Sequence, residues 1–225
     1  LKKLGYKWAE NCFHLSYGMV DLPTGKMKSR EGTVVDADDL MDEVIEKATE
    51  LTRERGHLEG LSESEKKQLF SQIGLGGLKY YLLKVDPKKR MMFNPEESID
   101  LNGNTGPFIQ YTYARIQSLL FKAAFNHSFN NLDSYSVSEE EKLIIKTLKS
   151  LPSIIDEAAK NYSPALIANF VYELVKNYNH FYQSVKILTE ENPNVKDARL
   201  TISAEVAKTI KKCLILIGVE APKRM

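Results

Sequence analysis

The sequence predicts a mainly α-helical protein. An antiparallel helical bundle fills the carboxyl-terminal part, preceded by an α/β-to-α part with a few short strands. Three observations carry this expectation. From Pro107 onward, apolar residues recur at three- and four-residue spacing with no alternating run to interrupt them. Two capping boxes, Ser62-x-x-Glu65 and Ser138-x-x-Glu141, mark helix starts. Strand-like alternation is confined to the first 35 residues and to a short piece around Arg90–Phe93.

In chain order, "HLSYGMVDL" alternates and carries Tyr and Val, which suits a short strand entering a turn at Pro23, Thr24 and Gly25. "GTVVDADDL" reads as a second extended piece running into a helix. Asp36 or Asp38 can cap that helix, and the acidic first turn complements its dipole. Leu40, Met41, Val44, Ile45, Ala48 and Leu51 follow at helical spacing, with an end expected by Gly56. The helix opened by Ser62 carries Leu69, Phe70, Ile73 and Leu78, and also Gly74, Gly76 and Gly77. A glycine inside a helix costs about 1 kcal/mol against alanine. Close packing against another backbone is the expected compensation. The Pro-, Asn- and Gly-rich stretch from Lys84 to Pro107 is a long connection, and the domain boundary is placed near its end, giving units 1–104 and 105–225.

Pro107 suits the first turn of a helix bearing Phe108, Tyr111, Ile116, Leu119, Leu120 and Ala123. The helix after Ser138 carries Leu143, Ile144, Thr147 and Leu148, and Pro152 is expected to open a separate short segment with Ile154, Ile155 and Ala158. Ser163-Pro164 heads an amphipathic run through Ile167, Phe170, Val171, Leu174, Val175, Tyr178 and Phe181. The last helix is expected from about Lys196 to Ile217, with Gly218 as its cap.

Composition excludes more than it assigns. At 225 residues, 43% hydrophobic and 27% charged, the chain can bury a core of useful size. A net charge of +1 carries no nucleic-acid signal, so any basic surface must be local. Cys12 and Cys213 stand far apart, which argues against a disulfide framework or a zinc site and fits a reducing compartment. His14, His57, His127 and His180 are scattered and form no catalytic or metal-binding set, although His14 lies just upstream of a cationic loop. No apolar run approaches the roughly 18 residues of a membrane span. The start lacks a signal-peptide stretch and an initiator Met, so the chain is expected to be a piece of a longer protein.

Two constellations could carry chemistry. In "LPTGKMKSREGTVV", Lys26, Lys28 and Arg30 lie between Gly25 and Gly32. Such cations could stabilise charge developing on a polyphosphate, yet the Walker A pattern is absent and, read alone, the run fits a solvated turn better. In "GNTGPFIQYTYARIQSLL", Phe108, Tyr111 and Arg115 fall at i, i+3 and i+7 and share a helix face. Two rings and a guanidinium make a platform for unstacked bases, while core packing explains Phe108 and Tyr111 at least as well. The carboxylates Glu96, Glu97 and Asp100 fit a solvated acidic turn better than a set of general bases.

Taken together and in order, four segments resemble arginyl-tRNA synthetase, a class I aminoacyl-tRNA synthetase. "HLSYGMVDLPTGKMKSREGTVV" resembles the strand and loop of the KMSKS signature. "GGLKYYLLKVDP" resembles the following helix. "FNPEESIDLNGNTGPFIQYTYARIQSLL" resembles the junction into the anticodon-binding domain. "DARL" at Asp197–Leu200 and "LILIGVEAPKRM" resemble the end of the DALR domain and the closing residues. The resemblance implies an arginine–tRNA ligase that is cytoplasmic and monomeric. It would use ATP with Mg2+, arginine and tRNA(Arg), and neither DNA nor a membrane. It implies that Lys26, Lys28 and Arg30 act catalytically on the ATP phosphates together with Met27 and Ser29, and that the backbone of Gly18, Met19 and Val20 holds adenine. It implies that Phe108, Tyr111, Arg115 and Met225 face the anticodon loop. Lys26 takes the first signature lysine; Ser29 stands where the second would be, so Lys28, Arg30 or a lysine elsewhere in the intact enzyme is left to supply that charge. Some relatives carry a tryptophan before the DARL segment, whereas Ile187–Asn194 has none. The HIGH signature is absent from these residues, so the chain by itself is expected not to activate arginine. A stand-alone tRNA-binding module and a helical protein-interaction adaptor are the alternative functions.

Overall fold

The computed structural model describes residues 1–23, 36–55, 58–126 and 135–225. After two short 3₁₀ turns at Lys2–Leu4 and Lys7–Asn11, an extended stretch leads into β1 (Val20–Asp21). Helices α1 (Ala37–Arg55) and α2 (Glu63–Leu83) follow, then β2 (Met91–Met92). β2 lies parallel to β1, with Val20 opposite Met91 and Asp21 opposite Met92. A parallel pair needs a crossover, and here α1 and α2 are that crossover. Both strands fall where the sequence places extended chain. The expected extended piece at "GTVV", the end of α1 by Gly56, and His57 and His127 lie outside the described residues.

The capping box at Ser62 forms as expected. The Glu65 N–H donates to Ser62 Oγ at 3.3 Å and the Ser62 N–H donates to Glu65 Oε2 at 2.8 Å. Each of the three α2 glycines meets a neighbour that a side chain would displace. A Cβ on Gly74 would lie 2.8 Å from the Ile45 Cα of α1, one on Gly77 2.7 Å from the Ser98 carbonyl, and one on Gly76 2.5 Å from Gln110 Nε2. Ser98 closes the short α3 (Pro95–Ser98), and Gln110 belongs to α4 (Gly106–Lys122). At the crossing of α2 and α4, a Cβ on Gly106 would stand 2.4 Å from the Gly76 carbonyl oxygen. Close backbone approach is therefore what the glycines supply.

Buried Tyr80 ties this crossing to the bundle. Its hydroxyl lies 2.6 Å from Asn104 Oδ1 and 2.9 Å from the Ala168 carbonyl. Lys84 Nζ sits 4.0 Å from the centre of the Tyr81 ring and donates to the Asn104 carbonyl at 2.9 Å. Beyond α4 come α5 (Glu139–Asn161), α6 (Pro164–Ser184) and α7 (Pro193–Leu216). Only Tyr162 and Ser163 separate α5 from α6. Tyr162 takes the left-handed conformation (φ +52°) that reverses the chain, so the two helices pack antiparallel. The bundle core includes Ile109, Ile116, Ile144, Leu174, Phe181, Ile210 and Leu214, all essentially without solvent exposure.

Two boundaries differ from expectation. Pro152 lies inside a continuous α5 rather than opening a new segment. Hydroxyls of Thr147, Ser150 and Ser153 donate to the carbonyls of Leu143, Thr147 and Ser150 through this turn, and Leu151 anchors it in the core. Burial of the apolar face outweighs one lost backbone hydrogen bond. The last helix starts three residues earlier than expected, because Asn192 caps it and Pro193 needs no partner at the first position. Gly218, at φ +70°, ends it as expected. Among the described residues, no helix is long and apolar enough to cross a membrane.

The glycine crossing generates a test. Gly106→Ala should lower stability by about 1–3 kcal/mol through overpacking, a fall in Tm of about 2–12 °C for a chain of this size. Thermal unfolding followed by circular dichroism measures it, and an unchanged Tm would mean that the two backbones can separate without cost.

Candidate nucleic-acid interface

A groove of about 340 Å³ opens on one side of the bundle. Tyr111, Arg115 and Lys122 of α4 line it, with Tyr182 of α6, Leu188 of the α6–α7 connection, and Lys223, Arg224 and Met225 of the carboxyl-terminal tail. The Arg115 guanidinium carbon lies 4.9 Å from the centre of the Tyr111 ring and 5.4 Å from that of Tyr182. Arg115 Nη1 donates to Asn179 Oδ1 at 3.2 Å, and Asn179 Nδ2 donates in turn to Thr112 Oγ1 at 3.1 Å. Among the described residues, the cation is thus held by two ring faces and one amide rather than by a carboxylate. Its plane is set in advance without a described carboxylate to cancel its charge. Tyr111 remains 39% exposed, so part of its ring is available to a ligand.

The sequence-predicted stripe divides. Tyr111, Arg115 and Met225 come together in the groove, but Phe108 does not join them. It is half-buried against the bundle core, with its ring 6.1 Å from that of Tyr172. The three residues do share one arc of α4; α6 covers one end of that arc with Tyr172 and meets the other with Tyr182. For Phe108, core packing is the reading the structure supports.

The tail reaches the groove because buried Gln110 and a set of surface side chains hold it. Gln110, inside the α2–α4 crossing, donates from Nε2 to the Gln72 carbonyl at 3.0 Å and to the Glu220 carbonyl at 2.8 Å. Gln72 Nε2 donates to Glu220 Oε2 at 2.7 Å, Lys79 Nζ to the Gly218 carbonyl at 2.9 Å, and Arg224 to the Glu59 carbonyl. Tyr182, Leu188, Lys122, Lys223 and Arg224 were not singled out from sequence. Two signals pointed to some of them: Tyr182 stands one step beyond the apolar stripe that ends at Phe181, and Lys223-Arg224 is a local basic pair.

Below the groove, Arg199 of the "DARL" segment links three elements. Its Nε donates to Glu141 Oε1 at 3.1 Å, and its Nη1 donates to the Lys186 carbonyl and to Glu190 Oε2, each at 2.7 Å. Glu141 has no solvent exposure, and its other oxygen accepts the Ser138 N–H at 2.8 Å, closing the α5 capping box. The Asn192 backbone N–H, followed by the Arg199 charge, holds the Glu190 carboxyl below the usual carboxylate range. Glu141→Ala removes a buried, charged hydrogen-bond partner of Arg199 and the acceptor of the Ser138 N–H, while Glu190 still pairs with the guanidinium, so it should cost about 2–4 kcal/mol. Urea denaturation reads that loss, and a cost below about 1 kcal/mol, typical of a surface pair, would mean that water reaches Arg199.

At the other end, Lys26, Met27, Lys28, Ser29 and Arg30 lie outside the described residues. Gly18, Met19 and Val20 form the approach to β1. A Cβ on Gly18 would stand 2.2 Å from the Lys89 carbonyl oxygen, and its N–H donates to the Pro87 carbonyl at 2.6 Å. Met19 and Asp21 turn their carbonyls toward β2, accepting from the Met91 and Phe93 N–H groups at 3.0 and 2.7 Å. Strand alternation therefore aims the N–H and C=O of Val20 at the opposite edge. Arg90 grips the Asp21 carboxylate through Nε and Nη2. His14 is exposed. Glu97 accepts from the Tyr81 hydroxyl and from Asn94 Nδ2, both at 3.0 Å, and Glu96 is an exposed partner of Lys47, so these acidic residues are engaged in structure. Burial pushes the Cys213 thiol up to about 12, which keeps it protonated as a core residue.

Comparisons with known proteins fit this geometry. The family model described as the DALR anticodon binding domain matches residues 109–225, and that of the class I tRNA synthetases (R) catalytic domain matches residues 1–94. The chain is 59% identical over its whole length to the arginine–tRNA ligase of Flavobacterium psychrophilum, covering 37% of that protein. It is 53% identical to that of Parabacteroides distasonis, again over its whole length and covering 38% of the relative. The chain thus spans well under half the length of these curated relatives. Among solved structures, the Thermus thermophilus arginyl-tRNA synthetase superposes with a TM-score of 0.86 at 25% identity, over 96% of this chain and 36% of that one. The Plasmodium falciparum enzyme gives 0.77 at 25% identity, over 94% and 35%. In sequence and in fold, the chain belongs to the arginyl-tRNA synthetase family and carries its DALR anticodon-binding domain.

Proposed function

We propose that this chain serves an arginine–tRNA ligase that activates arginine with ATP to arginyl-adenylate and transfers it to tRNA(Arg). Within that enzyme the bundle binds the anticodon loop, and the residues around β1 and the following loop bind ATP. The division between the two roles falls at 104/105. The observation that carries the reading is the Tyr111–Arg115–Tyr182 sandwich, set beside Lys122, Lys223 and Arg224 in a groove of a DALR domain. Splayed bases stack on rings and guanidinium planes while lysine and arginine meet phosphates, and a nearly neutral chain can bind RNA through such a local patch. Tyr111, Arg115 and Met225 face the anticodon loop, and Phe108 supports them from the core side.

At the nucleotide end, what supports the reading is the edge of β1 that faces away from β2. An adenine ring asks for one donor and one acceptor, and Val20 presents both on the edge away from β2, with Gly18 and Met19 shaping the approach. The chain then continues from the carboxyl end of a parallel strand, where α/β sheets bind nucleotides. Lys26, with Lys28 or Arg30, stabilises the charge that gathers on pyrophosphate as the arginine carboxylate attacks the α-phosphorus. Mg2+ enters with the ATP phosphates, as is common for this cation; among the described residues, no group of three or more His, Cys, Asp or Glu side chains could hold it. The enzyme works in the cytoplasm as a monomer.

Two substitutions in the full-length protein test this reading. Tyr111→Ala should weaken tRNA(Arg) binding by about 5- to 150-fold, the equivalent of one stacked base, and leave the bundle folded. A lowered Tm with unchanged affinity would instead make Tyr111 a core residue. Lys26→Ala should slow adenylate formation, followed by ATP–pyrophosphate exchange, far more than it changes arginine affinity. An unchanged rate would move the role to another cation. Affinity for tRNA should also fall steeply with salt, which a protein-binding adaptor would not show.

A further inference from the structure

We propose that Arg199 is a positioning residue for the anticodon groove: it clamps the α6–α7 connection so that Leu188 stands as a wall of the groove. The inference rests on the reading of that groove as a tRNA site. Leu188 lines the groove and is 36% exposed, whereas its neighbour Ile187 is buried in the bundle core. The two tethers of the connection flank Leu188 in sequence, two residues before it at the Lys186 carbonyl and two after it at the Glu190 carboxylate. One nitrogen, Arg199 Nη1, donates to both at 2.7 Å, one hydrogen to each. The same guanidinium is fixed from behind by Glu141, which has no solvent exposure and caps α5. The Glu190 carboxylate is oriented in turn, since its Oε1 accepts the Asn192 N–H at 3.2 Å and Asn192 caps α7.

The position of Leu188 is therefore referenced to α5 and α7 through one planar fork. Tyr182, on the last turn of α6, and Met225, at the end of the tail, complete the groove around it. A lysine at 199 could keep the charge opposite Glu141, but its single nitrogen cannot span three acceptors in one plane. Arg199 thus touches no base in this arrangement and acts through Leu188.

The test uses the full-length protein and tRNA(Arg) transcript, with Kd from filter binding and kcat and KM from aminoacylation. Glu190 is on the surface side of the network, so Glu190→Ala cuts one tether and leaves the buried pair intact. Glu190→Ala should raise the Kd and KM for tRNA by about tenfold, with kcat at saturating tRNA, the KM for ATP and Tm unchanged. Glu190→Gln keeps one accepting oxygen for Arg199 Nη1 but loses the acceptor used by the Asn192 N–H, and should restore part of the affinity. Arg199→Lys should raise the tRNA Kd at least as far as Glu190→Ala does. Unchanged tRNA affinity in a folded Glu190→Ala protein overturns the proposal, as does a Glu190→Gln protein no better than Glu190→Ala. Leu188→Ala and Tyr111→Ala separate the levels. If Tyr111→Ala weakens binding and Leu188→Ala and Glu190→Ala do not, the clamp fails and the groove stands. If none of the three weakens binding, the reading of the groove fails as well.

Discussion

The Glu141 carboxylate has no contact with solvent, and a charge so placed persists only when paired and hydrogen-bonded. Its two oxygens are divided between two tasks. One closes the first turn of α5, where the orphan Ser138 N–H needs an acceptor. The other receives Arg199 from the first half of α7. Neither helix can shift along the other without stranding that charge. Dispersion and apolar burial between α5, α6 and α7 are tolerant of small slides; a fork-shaped hydrogen-bond donor against a buried carboxylate is not. The register of α5 against α7 is therefore pinned by a polar contact within a largely apolar core, and the α6–α7 connection inherits its position from the same guanidinium.

A second constraint works in the opposite way, by removing atoms. At the α2–α4 crossing, Gly106 brings its backbone too close to that of Gly76 for a Cβ, and the Gln110 side chain fills the space over Gly76. Its amide then reaches both Gln72 of α2 and the Glu220 carbonyl of the tail. A glycine seam that would weaken α2 taken alone thus gives the tail a fixed course over the crossing, toward the aromatic face of α4. The same crossing joins the helices that follow β1 to the bundle through Tyr80 and Lys84. The groove and β1 are thus both tied to one packed joint.

Much of the fold was legible in the sequence because its signals are local. Ser62-x-x-Glu65, Ser138-x-x-Glu141 and Gly218 are caps whose chemistry is complete within four residues, and the apolar spacing of α4, α6 and α7 needs no partner to be read. Pro152 was misleading for the same reason: a local rule says helix break, but the decision belongs to Leu151 and the core beneath it. The site was legible only in part. Tyr111 and Arg115 share a helix face and could be paired from spacing. Tyr182, Leu188 and the Lys223-Arg224 pair meet them from segments 67 to 113 residues away, and nothing local marks that meeting. Phe108 illustrates the converse. Helical periodicity places it in line with Arg115, but which neighbour covers which end of a stripe is a tertiary fact.

The state of Arg115 explains how a nearly neutral protein can present a cation that is both fixed and unspent. An arginine bound to a carboxylate is well placed, but its charge is cancelled; an arginine free in solvent keeps its charge and loses rotamer entropy when it binds. Between Tyr111 and Tyr182, with Asn179 as the sole polar partner among the described residues, Arg115 is oriented without being neutralised. Ring quadrupoles attract the guanidinium weakly, by about 0.5–2 kcal/mol, enough to choose a rotamer and too little to compete with a phosphate or a base edge. The ordering cost is then met during folding rather than at the moment of recognition. On the proposed reading, the geometry of the walls, and so the clamp at Arg199, sets how this cation meets a ligand, beside the salt-dependent attraction of the other charges in the groove.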